Sequence, residues 1–238
     1  MIRTSAKSLG ENLDIRTWND KMADKYNPEL YHKKSFFVIR LIEKLRAHSV
    51  LELLAVKDKE QVLDIGCGAG NIMEYFSRGR LFGIDLCKHL LMAASQKKYK
   101  VPLCFIQSFA EELPFKSSVF DKVYCSEVIE HIKEPHLVIK EAQRVMREDG
   151  YFIVSIPNEG FINFIKTLLR LLFLDRIINS ISTYKYAIDM VGEWHLHKFS
   201  LEYIENLLEG SFYIKIIRYI PFRVFPLQIV LVCRKKYS

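Results

Sequence analysis

The 238-residue chain contains no uninterrupted run of about 18 apolar residues, so no membrane-spanning helix is expected. Its opening stretch, MIRTSAKSLGENLDIRTW, lacks the apolar core of a secretory signal. Cysteine is sparse and unpatterned. Cys67, Cys87, Cys104, Cys125 and Cys233 are odd in number, show no C-x-x-C spacing, and mostly sit within or at the ends of apolar runs. Thiols that pack as small hydrophobes in a reduced, cytoplasmic compartment fit that usage best. No internal repeat or low-complexity segment occurs, and half of the residues are hydrophobic, which excludes disorder as the dominant state. Acid is the scarcer charge, with 28 acidic against 35 basic side chains for a net of +7. The deficit is uneven: residues 161–238 carry a net of +5, whereas residues 61–160 carry −1. A basic final third suits an anionic neighbour (phospholipid, nucleic acid or an acidic substrate), or equally a solvated surface rich in lysine.

What is present is an alternation of short apolar strands with helices. From about residue 30, ELYHKKSFFVIRLIEKLRAHSVLELL repeats apolar residues at helical spacing and predicts one or two helices. QVLDIGCGAGN reads as a strand running straight into glycines, followed by helix-like NIMEYFSR, the strand LFGIDL and the helix KHLLMAASQKKY. The strands VPLCFIQ and SSVFDKVYCSE come next, then the helix HLVIKEAQRVMRE ended by Gly150, then the strand YFIVSIPN. This alternation predicts an α/β fold, a Rossmann-like parallel sheet with helices on both faces. The ending differs. SFYIKIIRYI and LQIVLVCRKK have no helix between them, only the Pro221–Pro226 segment, and two strands so joined pair antiparallel. A single domain over 1–238 is expected, with a helical leader over 1–60 and a helical insertion or lid over 158–195.

The strongest local signal is VLDIGCGAG. Asp64 ends the first strand, and Gly66, Gly68 and Gly70 follow at alternate positions, where the chain turns sharply and a ligand can approach bare backbone. Asp85 ends the second strand, at the distance from the loop where a carboxylate accepts from both ribose hydroxyls. A dinucleotide fingerprint wants G-x-G-x-x-G, but Asn71 stands at its third glycine, and a carboxylate at Asp64 suits a cationic amine better than a pyrophosphate.

These residues resemble the first motif of the class I S-adenosylmethionine-dependent methyltransferases, of the type 11 and ubiquinone-pathway O-methyltransferase kind. The likeness covers roughly 15–238 and takes in WNDKMADKY, FGIDL, AEELPF, FDKVYCSEVIEHI and the closing strand pair. It implies a seven-stranded, mostly parallel sheet with a reversed last strand, and S-adenosylmethionine as cofactor. By resemblance, Asp64, Gly66, Gly68 and Gly70 surround the methionine part, with the Cys67 carbonyl facing its amine. Asp85 holds the ribose, Leu86 packs on the adenine, and Phe109 and Ala110 border its edge. Many relatives carry Asp where this chain has Phe109, so stacking replaces that side-chain bond here.

Methyl transfer from a sulfonium asks the protein to align the nucleophile and exclude water; a hydroxyl nucleophile must also lose a proton. In SEVIEHIKEP, Glu127, Glu130 and His131 are spaced so that one helical turn would bring them to one face. E-x-x-E-H resembles the small-RNA terminal 2′-O-methyltransferases and the ubiquinone-pathway enzymes, in which a later histidine completes the site. In GEWHLHKFS, His195 stands where broader relatives carry it, in preference to His197. Three readings stay open for Glu127, Glu130, His131 and His195: a divalent metal site, a metal-free base centred on Glu130, His131 and His195, or a structural role in which Glu127 bonds the cofactor amine.

In WNDKMADKY, Trp18 and Tyr26 belong to a leader that in comparable proteins folds over cofactor and substrate. The insertion FINFIKTLLRLLFLDRIINSIS carries a narrow polar stripe of Asn163, Lys166, Thr167 and Arg170 on an otherwise apolar helix. Such a helix is a buried lid, a membrane-surface contact or a partner interface. Aromatics lie within apolar runs and are not interleaved with clustered Arg and Lys, which disfavours nucleic acid. The reading is a cytoplasmic methyltransferase, touching a membrane transiently, that modifies a hydroxyl on a small or lipid-like acceptor. A non-catalytic cofactor-binding interaction protein and an NAD-dependent oxidoreductase are the competing classes.

Overall fold

The computed structural model describes residues 15–26, 35, 37–172 and 194–236. The expected leader residues 1–14, 27–34 and 36 and the insertion residues 173–193 lie outside that set.

Seven strands form one sheet in the order β3-β2-β1-β4-β5-β7-β6. They are β1 (Gln61–Ile65), β2 (Arg80–Asp85), β3 (Leu103–Gln107), β4 (Phe120–Ser126), β5 (Met146–Pro157), β6 (Phe212–Phe222) and β7 (Phe225–Lys235). β1 to β5 pair in parallel, while β7 runs antiparallel to both β5 and β6, the reversed last strand expected from the helix-free ending. Val62 to Ile65 of β1 are all buried, covered on both faces of the sheet, and Asp64 is the single polar side chain among them.

Helices α2 (Phe37–Leu54), α3 (Lys88–Ser95), α4 (Pro135–Val145), α5 (Glu159–Leu171) and α6 (Leu201–Leu208) pack on the sheet or on its neighbouring helices, and α1 (Ile15–Tyr26) packs on Cys87, Leu90 and Trp194. One core joins Leu63, Ile65 and Phe120 to α4 and α6; a second joins Val62, Leu81 and Tyr124 to α2. Local chemistry sets the helix starts. Pro135 opens α4, the Asn158 side chain accepts from Phe161 N–H at 3.3 Å to cap α5, and Ser200 accepts from Tyr203 N–H at 3.1 Å to cap α6.

Two expected elements differ. NIMEYFSR forms only a 3₁₀ turn over Met73–Tyr75; its buried Met73 and Phe76 are three apart, the repeat that such a turn satisfies. The helix expected to reach Gly150 stops at Val145, because the buried Met146 already pairs with Phe120 across β4. The ladder then shifts register before Lys122 meets Tyr151. Among the described residues Cys67, Cys87, Cys125 and Cys233 are buried free thiols, whereas Cys104 is exposed.

Candidate active site

The carboxyl ends of β1, β2 and β4 open onto a cavity of about 460 Å³. Parallel sheets place their ligand crevice there because the strand order reverses beside β1. Gly66 has φ +75°, which lets its own N–H and that of Cys67 both donate to Ile84 O at 2.8 Å. A Cβ on Gly66 would collide with the Val128 side chain. Gly68 has φ +51° and donates its N–H to an Asp85 oxygen at 2.8 Å; a Cβ there would meet nothing nearer than Leu90 at 4.0 Å. The loop therefore shows bare backbone to the cavity.

Two buried carboxylates flank that backbone. Asp64 accepts from the Tyr124 hydroxyl at 2.7 Å, and burial pushes its carboxyl up to about 8. Asp85 is also raised by burial, against the pull of its bonds from the Cys87 and Gly68 N–H groups. Carboxylates so placed favour a ligand that brings positive charge or hydroxyl donors.

Nearly all the residues picked out from the sequence line this one cavity. Asp64, Gly66, Cys67 and Gly68 form one end, with Asp85, Leu86, Phe109 and Ala110 beside them. Glu127, Glu130, His131 and His195 line the other side, together with Trp18 and Tyr26 of α1. Gly70 does not line it; its N–H donates to Cys67 O at 2.8 Å and closes the loop from behind. The Arg16 guanidinium lies 5.0 Å from the centre of the Phe109 ring, covering one of its faces.

On the opposite side the expected single helical turn is not formed. β4 ends at Ser126, Glu127 takes φ +56°, and only Ile129–His131 make a short 3₁₀ turn. The left-handed conformation at Glu127 is the kind of local strain that a surrounding structure has to hold in place. Burial raises Glu127 to about 7 and pushes Glu130 well above the usual carboxylate range, with the charge of Glu127 adding to the shift of Glu130. The segment after 193 closes over the turn: Leu196 N–H donates to Glu130 O at 2.8 Å, and His131 Nδ1 lies 3.2 Å from Trp194 O. Burial and the neighbouring His195 depress His131 to about 3, so it is neutral, with Nδ1 donating and Nε2 left as an acceptor. His195 Nδ1 lies 2.8 Å from Glu159 Oε1, and both side chains are almost fully buried. One ligand atom each from Glu130, His131 and His195 falls within 4.8 Å of the others; Glu127 stands outside that trio.

Four site residues escaped the sequence reading: Glu159, Arg46, Glu43 and Gln228. Arg46 pairs with Glu43 and donates to Ser126 Oγ at 2.5 Å, and Gln228 donates to Glu43 at 2.9 Å. The signal for Arg46 was available, since it shares the buried stripe of α2 with Ile42 and Val50 at four-residue spacing. Gln228 similarly interrupts the apolar run of β7. Arg46 Nε, Glu130 Oε2, Trp194 Nε1 and Gln228 Oε1 are buried without a partner among the described residues, and all four residues line the cavity. The wall of the cavity thus holds buried donors and acceptors alike whose hydrogen-bonding capacity is unused.

Residues 63–154 match a family model described as a methyltransferase domain. Over 152 residues the chain is 28% identical to the ubiquinone biosynthesis O-methyltransferase of Glaesserella parasuis, covering 60% of this chain and 60% of that protein. Over 178 residues it is 25% identical to the protein of the same name from Nitrosomonas europaea, covering 69% and 73%. The chain thus spans about three fifths of the first relative's length. Among solved structures, magnesium protoporphyrin IX methyltransferase of Synechocystis PCC 6803 with bound SAM has the same fold, with a TM-score of 0.66 at 16% identity over 95% of this chain and all of that one. The glycine loop, the acidic strand ends and the reversed β7 agree with these likenesses: residues 63–154 resemble a methyltransferase domain, and the fold is that of the solved methyltransferases.

Proposed function

We propose that the chain transfers a methyl group from S-adenosylmethionine to a hydroxyl of a small, apolar or lipid-like acceptor. One observation carries this reading: a single cavity joins a backbone cradle with two buried carboxylates to a wall bearing neutral His131 and the Glu159–His195 pair. The residues present suit the cofactor. Asp64 would take the ammonium group and Asp85 the ribose hydroxyls. Gly68 leaves room that a side chain would fill. Leu86, Phe109 and Ala110 would enclose the adenine.

When bound, the cofactor supplies a methyl group already activated on a sulfonium. The chain's own residues then have to orient the acceptor, keep out water and take the hydroxyl proton. His195 is assigned the proton: Glu159 accepts from its Nδ1–H, fixes the tautomer with Nε2 free, and stabilises the charged ring afterwards. Neutral His131 and protonated Glu130 orient the acceptor oxygen without placing charge on it. Trp18 and Tyr26 form part of the wall that excludes water, with Tyr26 stacked on Trp194 at 6.0 Å.

The test is incubation of the protein and tritium-labelled S-adenosylmethionine with lipid, aqueous small-molecule, protein and RNA fractions of a cell extract. Label is expected in the lipid or small-molecule fraction; label in RNA would overturn the substrate class.

A second reading is favoured by the compact trio of Glu130, His131 and His195. Mixed oxygen and imidazole donors suit Mn²⁺, Fe²⁺ or Zn²⁺, whose chemistry would be to acidify a bound hydroxyl. Metal analysis and turnover in chelator separate the two, and full activity in chelator retires the ion.

A further inference from the structure

Three segments meet where the cavity opens. Ile39 of α2, Ile162 and Lys166 of α5, and Leu227 of β7 all line it. Gln228 is bonded to Glu43, and the Phe161 ring meets the Phe225 ring edge-on at 5.0 Å, so the start of α2, helix α5 and the tip of the β6–β7 hairpin flank one opening. Many of their outward side chains are apolar. Val224 is 89% exposed, Leu171 71%, Phe222 66%, and Phe37 and Phe164 61% each, with Val38, Leu41, Leu168, Leu172 and Phe225 also exposed. Apolar exposure on this scale around a cavity marks a contact surface.

The charge pattern selects the partner. Residues 37–42, 160–172 and 221–227 contain Arg40, Lys166, Arg170 and Arg223 and not one carboxylate. The next acid in α2, Glu43, turns inward to Arg46. A protein partner's groove would supply apolar area without requiring every neighbouring charge to be positive. Among the described residues the charges on this apolar rim are cations, which matches the headgroup boundary of a negatively charged bilayer. No helix among the described residues is long and apolar enough to cross such a bilayer, so the contact is peripheral.

We propose that this rim (the start of α2, the outer face of α5 and the β6–β7 tip) seats the protein on an anionic membrane surface, with the cavity opening toward the acyl chains. The acceptor then enters from the bilayer without crossing water. The surface stands on exposure and charge alone; that it delivers a substrate rests on the methyl-transfer reading above.

The experiment is co-sedimentation of the full chain with phosphatidylcholine vesicles and with vesicles in which about a third of the lipid is phosphatidylglycerol. Binding at least tenfold stronger to the anionic vesicles, and weakened by salt, is expected. Phe222→Asp with Val224→Asp should lower vesicle binding at least tenfold and leave S-adenosylmethionine titration unchanged. Arg170→Gln and Arg223→Gln should each lower it roughly fivefold, a gentler test that spares the apolar residues. Equal binding to both vesicle types, no binding, or binding indifferent to the tip substitutions would overturn the proposal. So would a dimer in sedimentation velocity that the tip substitutions dissociate, since a second copy would then be the occupant. Vesicle binding by a protein that fails to take up S-adenosylmethionine would uphold the surface and refute only the methyl-transfer reading.

Discussion

The two ends of the cavity are built by different means. The glycine-loop end is made of consecutive backbone from 64 to 70, plus Asp85 at the end of the next strand, and its bonds run from main-chain N–H groups to Ile84 O and the Asp85 carboxylate. The opposite end is made of side chains carried by α2, the β4 exit, α5, the segment after 193 and β7, which come together only in the folded chain. Backbone recognition tolerates little change, since each turn demands a particular φ. Side-chain recognition can be reassembled for another acceptor without disturbing the cradle.

That contrast can be broken experimentally, and the largest effect belongs to the backbone end. Gly66→Ala forces a Cβ into φ +75° and against Val128. It should cost about 2–4 kcal/mol of stability, read by denaturant titration, and abolish cofactor uptake. At the other end His195→Ala should lower kcat by about 10²–10⁴ with little change in cofactor affinity. Glu159→Gln should act through the same histidine with a smaller loss and a shifted pH–rate profile. If either substitution instead removed cofactor binding, the division of the cavity into two ends would fail.

Charge at Asp64 sharpens the comparison. Its folded carboxyl stands at about 8, so it is mostly protonated at pH 6. S-adenosylmethionine affinity should rise with pH up to that value, by at most about tenfold per unit, and Asp64→Asn should flatten the profile. The sign for the ligand-free fold is opposite. The folded state holds a proton that the unfolded chain releases near 3.8, so this group's contribution to stability is full below that pH and is lost as pH rises through about 8. The smallest effect expected is that of Tyr124→Phe. It removes one hydrogen bond from Asp64, raises its pKa further, and should weaken cofactor binding at pH 7 by roughly fivefold.

The same contrast governs what could be read from the sequence. Asp64, the alternating glycines and Asp85 were legible because a strand, a turn and a second strand end fall within a short stretch whose spacing is fixed by backbone geometry. The reversed β7 was legible because no helix separates it from β6. The opposite side of the cavity was only half visible. Glu130, His131 and His195 could be named, but Glu159 reads as an ordinary first-turn carboxylate, and its bond to His195 spans 36 residues. Arg46 and Gln228 are polar interruptions in apolar stripes, whose meaning appears only when α2 packs against β7. The helical turn expected for Glu127, Glu130 and His131 failed for a local reason: the chain leaves β4 through a left-handed residue before it can coil.

The central claim is tested most directly by calorimetric titration of the purified protein with S-adenosylmethionine and, separately, with NAD. The account predicts one S-adenosylmethionine site per chain, lost in Gly66→Ala and weakened in Asp85→Ala, with no heat from NAD. Heat from NAD alone would contradict it.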